Sequence, residues 1–158
     1  MRPGDLVAPE TPWLEDPLLA PVSDLGANGL AFRGNDLYIA VWDSGRIVRV
    51  PVTARGDPGA LAVVPGGEQE DLLEVDGIAF DARGNLYATT NTNAVLRLTP
   101  DGTLESLVDP TWLDYPTMPV FGTAPHTGTT LYVSNGSFDG VSPNVIAFDV
   151  GEQGTRLP

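Results

Sequence analysis

Cysteine is absent from this chain of 158 residues, which excludes disulfides, thiolate zinc sites and thiol nucleophiles. That absence is compatible with an oxidising or a reducing compartment and selects neither. Lysine is absent too. All eight basic residues are Arg, as a GC-rich or salt-adapted genome would produce. Set against 21 acidic residues they leave a formal net charge of -13. Such a balance argues against nucleic acid, whose phosphates need cationic partners, and against a polybasic membrane anchor. No run is long and apolar enough to cross a bilayer. The opening stretch "MRPGDLVAPETPWLEDPLLAPVSD" carries Pro and acids where a signal peptide needs a basic start and an apolar centre, so none is expected, and the compartment stays open. Helical periodicity is scarce as well, and "EQEDLLEV" has room for one turn at most.

What the chain does have is 18 Gly and 15 Pro within a 42% hydrophobic composition. That mixture suits many short strands joined by tight turns. Self-comparison finds three related segments, Asn28 to Val52, Asp76 to Gly102 and Thr117 to Val150. Their Leu-Tyr pairs, Leu37-Tyr38, Leu86-Tyr87 and Leu131-Tyr132, recur at intervals of 49 and 45 residues. A period in the forties with several strands per unit is the mark of a β-propeller blade.

The expected fold is therefore all-β: a partial propeller of about three four-stranded antiparallel blades in a single domain, 1–158. An irregular arm covers 1–27 and contains Trp13, Leu14, Leu18 and Leu19, which would cover apolar surface. The blades follow over 28–75, 76–116 and 117–158. Strands are expected near 29–32, 37–41, 46–52 and 60–64, then 77–80, 86–90, 94–99 and 104–108. The third set falls near 118–122, 130–134 and 144–150, with an incomplete fourth strand at 155–157. The turns "RGND", "DARGN" and "TAPHTGT" carry the Gly, Asn and Asp that tight hairpins use. Rings close with roughly four to eight blades, so three blades form an open arc. Two copies, or an absent N-terminal half, would complete it. An open arc leaves two blade faces and their edges exposed, which favours association.

Several polar residues have plain structural readings. His126, the single histidine, falls in a solvent-exposed turn, and no Ser-His-Asp triad is supported. Asn91 and Asn93 in "TTNTNAV" cap a hairpin; Ser134, Asn135 and Ser137 in "VSNGSF" follow a strand, where they form a turn or, alternatively, line the channel mouth. Asp43 stabilises the turn "WDSGR". The run Glu68 to Glu74 lacks the alternating ligand spacing of an EF-hand and reads as a solvated loop.

The segments "GANGLAF" with "LYIAVWDSGRIVRV", "DGIAFDARGNLYATTNTNAVLRLTPDG" and "PTMPVFGTAPHTGTTLYVSNG" resemble the gluconolactonase, regucalcin and luciferin-regenerating enzyme family, specifically the C-terminal half of its six-bladed propeller. The resemblance runs from Gly26 to about Val150. It implies a divalent-metal-dependent hydrolase acting on a small lactone or ester, with calcium the first choice of cation and magnesium or manganese next. It also implies the ligands. The family's Asn matches Asn28 in "ANGL" and its Asp matches Asp76 in "VDGI"; Asp76 also matches its usual general base. The family's early Glu has no counterpart, since Glu10 and Glu15 lie outside any matching motif. Thr117 occupies the same repeat position in the third unit, where the family has no ligand.

Physically, residues entering the innermost strands of adjacent blades converge on the propeller axis. An amide oxygen and a carboxylate suit a hard cation, and the Gly after each permits close backbone approach. Asn-Gly and Asp-Gly are also common turn dipeptides, so the residues alone leave a structural reading open. The sequence likewise leaves open a non-catalytic binding or scaffold module, or an inactive fragment of a longer or split protein.

Overall fold

The computed structural model describes residues 11–138 and 143–155. Blade 1 is a meander of β1 (Ala27–Arg33), β2 (Asp36–Val41), β3 (Arg46–Pro51) and β4 (Ala62–Glu68). Blade 2 repeats it with β5 (Val75–Phe80), β6 (Leu86–Thr90), β7 (Ala94–Leu98) and β8 (Leu104–Ser106). Blade 3 has β9 (Pro116–Phe121), β10 (Thr130–Asn135) and β11 (Asn144–Asp149). All pairings within the blades are antiparallel. Helix among the described residues is confined to single 3-10 turns, one of them at Glu70–Leu72 within the acidic run. The arc is thus an all-β partial propeller.

Alternation along the strands fixes which side chains meet between blades. Tyr38, Ala40 and Ile47 point from blade 1 toward Ile78, Phe80, Leu86 and Leu96 of blade 2 in one core. A second core joins Tyr87 and Val95 of blade 2 to Leu131 and Val133 of blade 3. Both joints use the same aromatic pair. The Tyr of the first and of the second Leu-Tyr repeat meets the Phe that ends the next blade's innermost strand edge to face: Tyr38 on Phe80 at 4.6 Å and Tyr87 on Phe121 at 5.1 Å between centroids. Edge-to-face pairs add roughly 0.5–1.5 kcal/mol beyond the area they bury.

The other face of blade 1 departs from expectation. Ile39, Val41, Val48 and Val50 point away from blade 2 and belong to neither interblade core, yet they are buried. The arm lies on this side. Trp13 donates its indole N–H to the Gly56 carbonyl (2.7 Å), and Arg46 donates to Leu18 O (3.3 Å). The Asp43 carboxylate accepts the backbone N–H groups of Val22, Ser23 and Asp24 at 2.6–2.9 Å. Asp43 therefore clamps the arm rather than serving only its own turn. Those three donors hold its carboxyl below the usual range, Ser23 and Asp24 contributing most. Only the innermost strand of that face stays open, at Leu30 and Phe32, while Met118, Val120 and Val145 are exposed on blade 3.

The described end of the chain turns back to blade 2. Of the stub expected at 155–157 only Thr155 lies within the described residues, among which blade 3 has three strands. Gly154 bridges Asp81 of blade 2, and Thr155 donates its N–H to Phe80 O (2.9 Å) and its hydroxyl to Asp81 O (2.7 Å). The buried Asp81 carboxylate in turn organises "DARGN", accepting from Gly84 N, Asn85 N, Asn85 Nδ2 and the Tyr87 hydroxyl. Elsewhere β4 runs later than expected, to Glu68, and β8 stops at Ser106.

Candidate functional site

Asn28, Asp76 and Thr117 each stand second in the innermost strand of their blade, and those strands, β1, β5 and β9, lie side by side. At all three positions the strand bulges, Thr117 and Met118 together opposing Ser134. Ala27 pairs with Val41 and Leu30 with Ile39, so Asn28 and Gly29 together oppose Ala40. Likewise Asp76 and Gly77 together oppose Thr89. A bulge turns a side chain out of the alternation that would otherwise send it into an interblade core.

The glycines have a definite task here. A Cβ on Gly29 would stand 2.0 Å from the Asp76 carbonyl oxygen, and one on Gly77 would stand 2.4 Å from that of Thr117. The close approach is between neighbouring inner strands, not toward a ligand. Thr89 reinforces the second joint. Its fully buried hydroxyl accepts from Gly77 N (3.1 Å) and donates to Thr117 O (2.9 Å).

The result brings the two expected site residues into the same neighbourhood, Asn28 being one of the side chains that lower the Asp76 carboxyl. Asn91 joins them. It was assigned to a hairpin from the sequence, but its Nδ2 faces Asp76 Oδ2 at 3.5 Å and its Oδ1 accepts the Trp42 indole N–H at 2.8 Å. Trp42 and Asn91 are equivalent repeat positions, each just after the second strand of its blade, and this phase was the available signal. Asp76 is half-buried. Burial raises its carboxyl above the ordinary value, while the Asn91 and Asn28 amides pull it part of the way back.

The remaining candidates lie elsewhere or are structural. Asn93, at φ 67°, holds its turn and accepts from Tyr115 N (2.9 Å). Ser134 bonds the Thr117 hydroxyl (2.8 Å). Asn135 is buried and bonds Asp114 N and Trp112 O. His126 is exposed in its turn. Glu10 lies outside the described residues.

The donor set can be tested against a divalent cation. Asp76 offers one carboxylate and Asn28 one amide oxygen, both hard donors. The Asn91 oxygen is committed to Trp42. Among the described residues no three His, Cys, Asp or Glu side chains come together. The pair fits a hard cation whose other positions are filled by water or by groups from outside this arc.

Comparison with known proteins bears on this geometry. The SMP-30/gluconolactonase/LRE-like region matches residues 24–137, most of the chain. The chain belongs to this family. Two solved structures show the same fold: a luciferin-regenerating enzyme (19% identity, TM-score 0.63, 82% of this chain and 47% of that one) and the calcium-binding protein regucalcin from Agrobacterium tumefaciens (23%, 0.61, 81% and 46%). A chain of the nidogen/laminin complex is similar too (22%, 0.62, 86% and 50%). This SMP-30-like chain spans about half the length of each. A search of curated proteins finds no match. No helix among the described residues is long and apolar enough to cross a membrane.

Proposed function

We propose that this arc carries the metal-binding part of a lactone or small-ester hydrolase, with Asn28 and Asp76 as cation ligands and Asp76 also as the proton acceptor. The observation that carries the reading is the placement of Asn28 and Asp76 at the bulged starts of the adjacent strands β1 and β5, at the positions the family's ligand motifs occupy. A divalent cation, calcium first and magnesium or manganese next, would polarise a lactone carbonyl and acidify a water there. The chain's own groups do the rest. Without a cation, burial raises the Asp76 carboxyl above a free aspartate's; its place beside the cation would let it take a proton from a bound water. The Asn91 amide faces the Asp76 carboxylate, and Trp42 fixes which end of that amide does so. With two protein donors and one charge, affinity is weak in this arc alone; a second copy or a separate N-terminal half would supply further ligands.

Calorimetry with calcium, magnesium and manganese, run beside a gluconolactone hydrolysis assay, tests the proposal. Asp76→Asn should abolish binding and hydrolysis together, while Asn28→Asp keeps or strengthens binding. Binding unchanged in Asp76→Asn would overturn it.

A second reading, a binding module without chemistry, is favoured by the single carboxylate in the donor set. It predicts no hydrolysis whether or not a cation binds.

A further inference from the structure

At the other end of the blades from Asp76, a cavity of about 230 Å³ opens between blades 1 and 2. Phe80 ends the strand that Asp76 begins, which sets the two places roughly 13 Å apart at about 3.3 Å per residue. The cavity is lined by Tyr38, Val64, Pro65, Phe80, Leu86 and Leu98, and also by Arg49, whose charge is paired with Asp36. Arg33 stands at its edge with its guanidinium carbon 6.0 Å from the centre of the Phe80 ring. Gly84 makes room for that guanidinium, since a Cβ there would fall 2.2 Å from Arg33 Nη2.

Arg33 forms no ion pair among the described residues, in a chain where acids outnumber bases 21 to eight. Its cross-strand neighbour Asp36 gives its carboxylate to Arg49 instead, at 2.8 Å. A positioned, uncompensated cation over an aromatic floor is thus built into an otherwise acidic surface.

We propose that this cleft binds a small monocarboxylate with an apolar, aromatic or branched body, the carboxylate on Arg33 and the body between Tyr38, Phe80 and Leu98. The volume falls below the roughly 300–1,000 Å³ of drug-sized pockets, which limits the ligand to about ten non-hydrogen atoms. One free guanidinium matches one negative charge, and the apolar lining disfavours phosphates and dicarboxylates. The site is separate from the one at Asp76 and stands whether or not that one binds a cation.

Phenylacetate is the probe, in an NMR titration of the intact chain labelled with ¹⁵N. Saturable shifts are expected at the amides of Arg33, Phe80 and Gly84, with a dissociation constant on the order of millimolar for a ligand this small. Neutral phenylacetamide should bind several-fold more weakly. Arg33→Met should weaken phenylacetate about tenfold, as loss of one charge-assisted pair implies. Ala62→Trp, which fills the cleft from an exposed position, should abolish binding while the rest of the spectrum is retained. Absence of saturable shifts would overturn the proposal. So would equal affinity for the amide, indifference to Arg33→Met, or shifts gathered at Asn28 and Asp76.

Discussion

Replacing Gly29 by Ala adds one methyl group where the structure has no room for it. The new Cβ would stand 2.0 Å from the Asp76 carbonyl oxygen and 3.0 Å from Gly77 Cα, all backbone atoms that no rotamer change can move. Gly29 has no left-handed φ, so the substitution isolates the contact from backbone strain. Relief requires the inner strands of blades 1 and 2 to part by more than about 1 Å, which overpacking data place near the top of a roughly 1–3 kcal/mol range. Lost flexibility of the unfolded chain returns about 0.4–1 kcal/mol. The net cost is about 2 kcal/mol. For a chain of this size that lowers the melting temperature by roughly 4–8 °C, which differential scanning calorimetry resolves. Because β1 carries Asn28 away from Asp76 as the strands part, any cation affinity should fall as well. Gly136→Ala is the control. Its nearest neighbours are an exposed Phe138 ring atom and the Tyr115 carbonyl oxygen, each 3.3 Å away, and melting should shift by less than about 2 °C. If Gly29→Ala melts with the parent protein, close approach of the inner strands is not what joins the blades.

Trp42→Phe removes the donor to Asn91 Oδ1 and leaves a half-buried acceptor unpaired, at about 1–2 kcal/mol in urea denaturation; an unchanged midpoint would dismiss that bond. Asp76 has a sign of its own in pH dependence. Its folded carboxyl sits above the 3.8 of the unfolded chain because burial disfavours the charge, so the folded state holds more protons between the two values. Its contribution is full below 3.8 and is lost as pH rises through the folded value. With a chelator present, Asp76→Asn should flatten that part of the stability profile, and an identical slope would refute the assignment. Asp43→Asn weakens the clamp on Val22, Ser23 and Asp24, so limited proteolysis should cut within 11–26 faster than in the parent; equal rates would mean the arm is held by other contacts.

Much of this was legible because blades repeat. The spacing of Leu37, Leu86 and Leu131 located the second strand of each unit, and the apolar residues at 47, 48 and 50 are buried in β3 as two-sided packing requires. The convergence of Asn28 and Asp76 followed from phase within the repeat. The bulge that aims them did not, because register is set by cross-strand hydrogen bonds that the strand's own residues do not encode. Asn91 was missed for a related reason: in one dimension it is a turn residue, and only its distance to Asp76 across the blade start gives it another meaning. Asp43 looked local because its partners, Val22 to Asp24, are some 20 residues away. Nothing in "EQGT" says that Gly154 returns to Asp81 of blade 2, because that bridge spans more than 70 residues.

The two internal joints share three parts: an edge-to-face Tyr-Phe pair, a glycine at the inner strand, and a bare sheet face on each side. The free ends possess only some of them. Phe32 stands exposed without a Tyr from a preceding blade, and Tyr132 has no Phe from a following one among the described residues. Yet Met118 occupies the position that Gly29 and Gly77 hold, and the arm crosses the face a preceding blade would need. The ends are therefore not interchangeable with the joints between them. A copy arriving at blade 3 meets a methionine where the internal seams have only hydrogen, and one arriving at blade 1 must first lift the strap. Any ring these blades complete, with a second copy or another segment, therefore has two kinds of seam: internal ones joined by a Tyr-Phe pair and a glycine, and outer ones built on Met118 and around the arm.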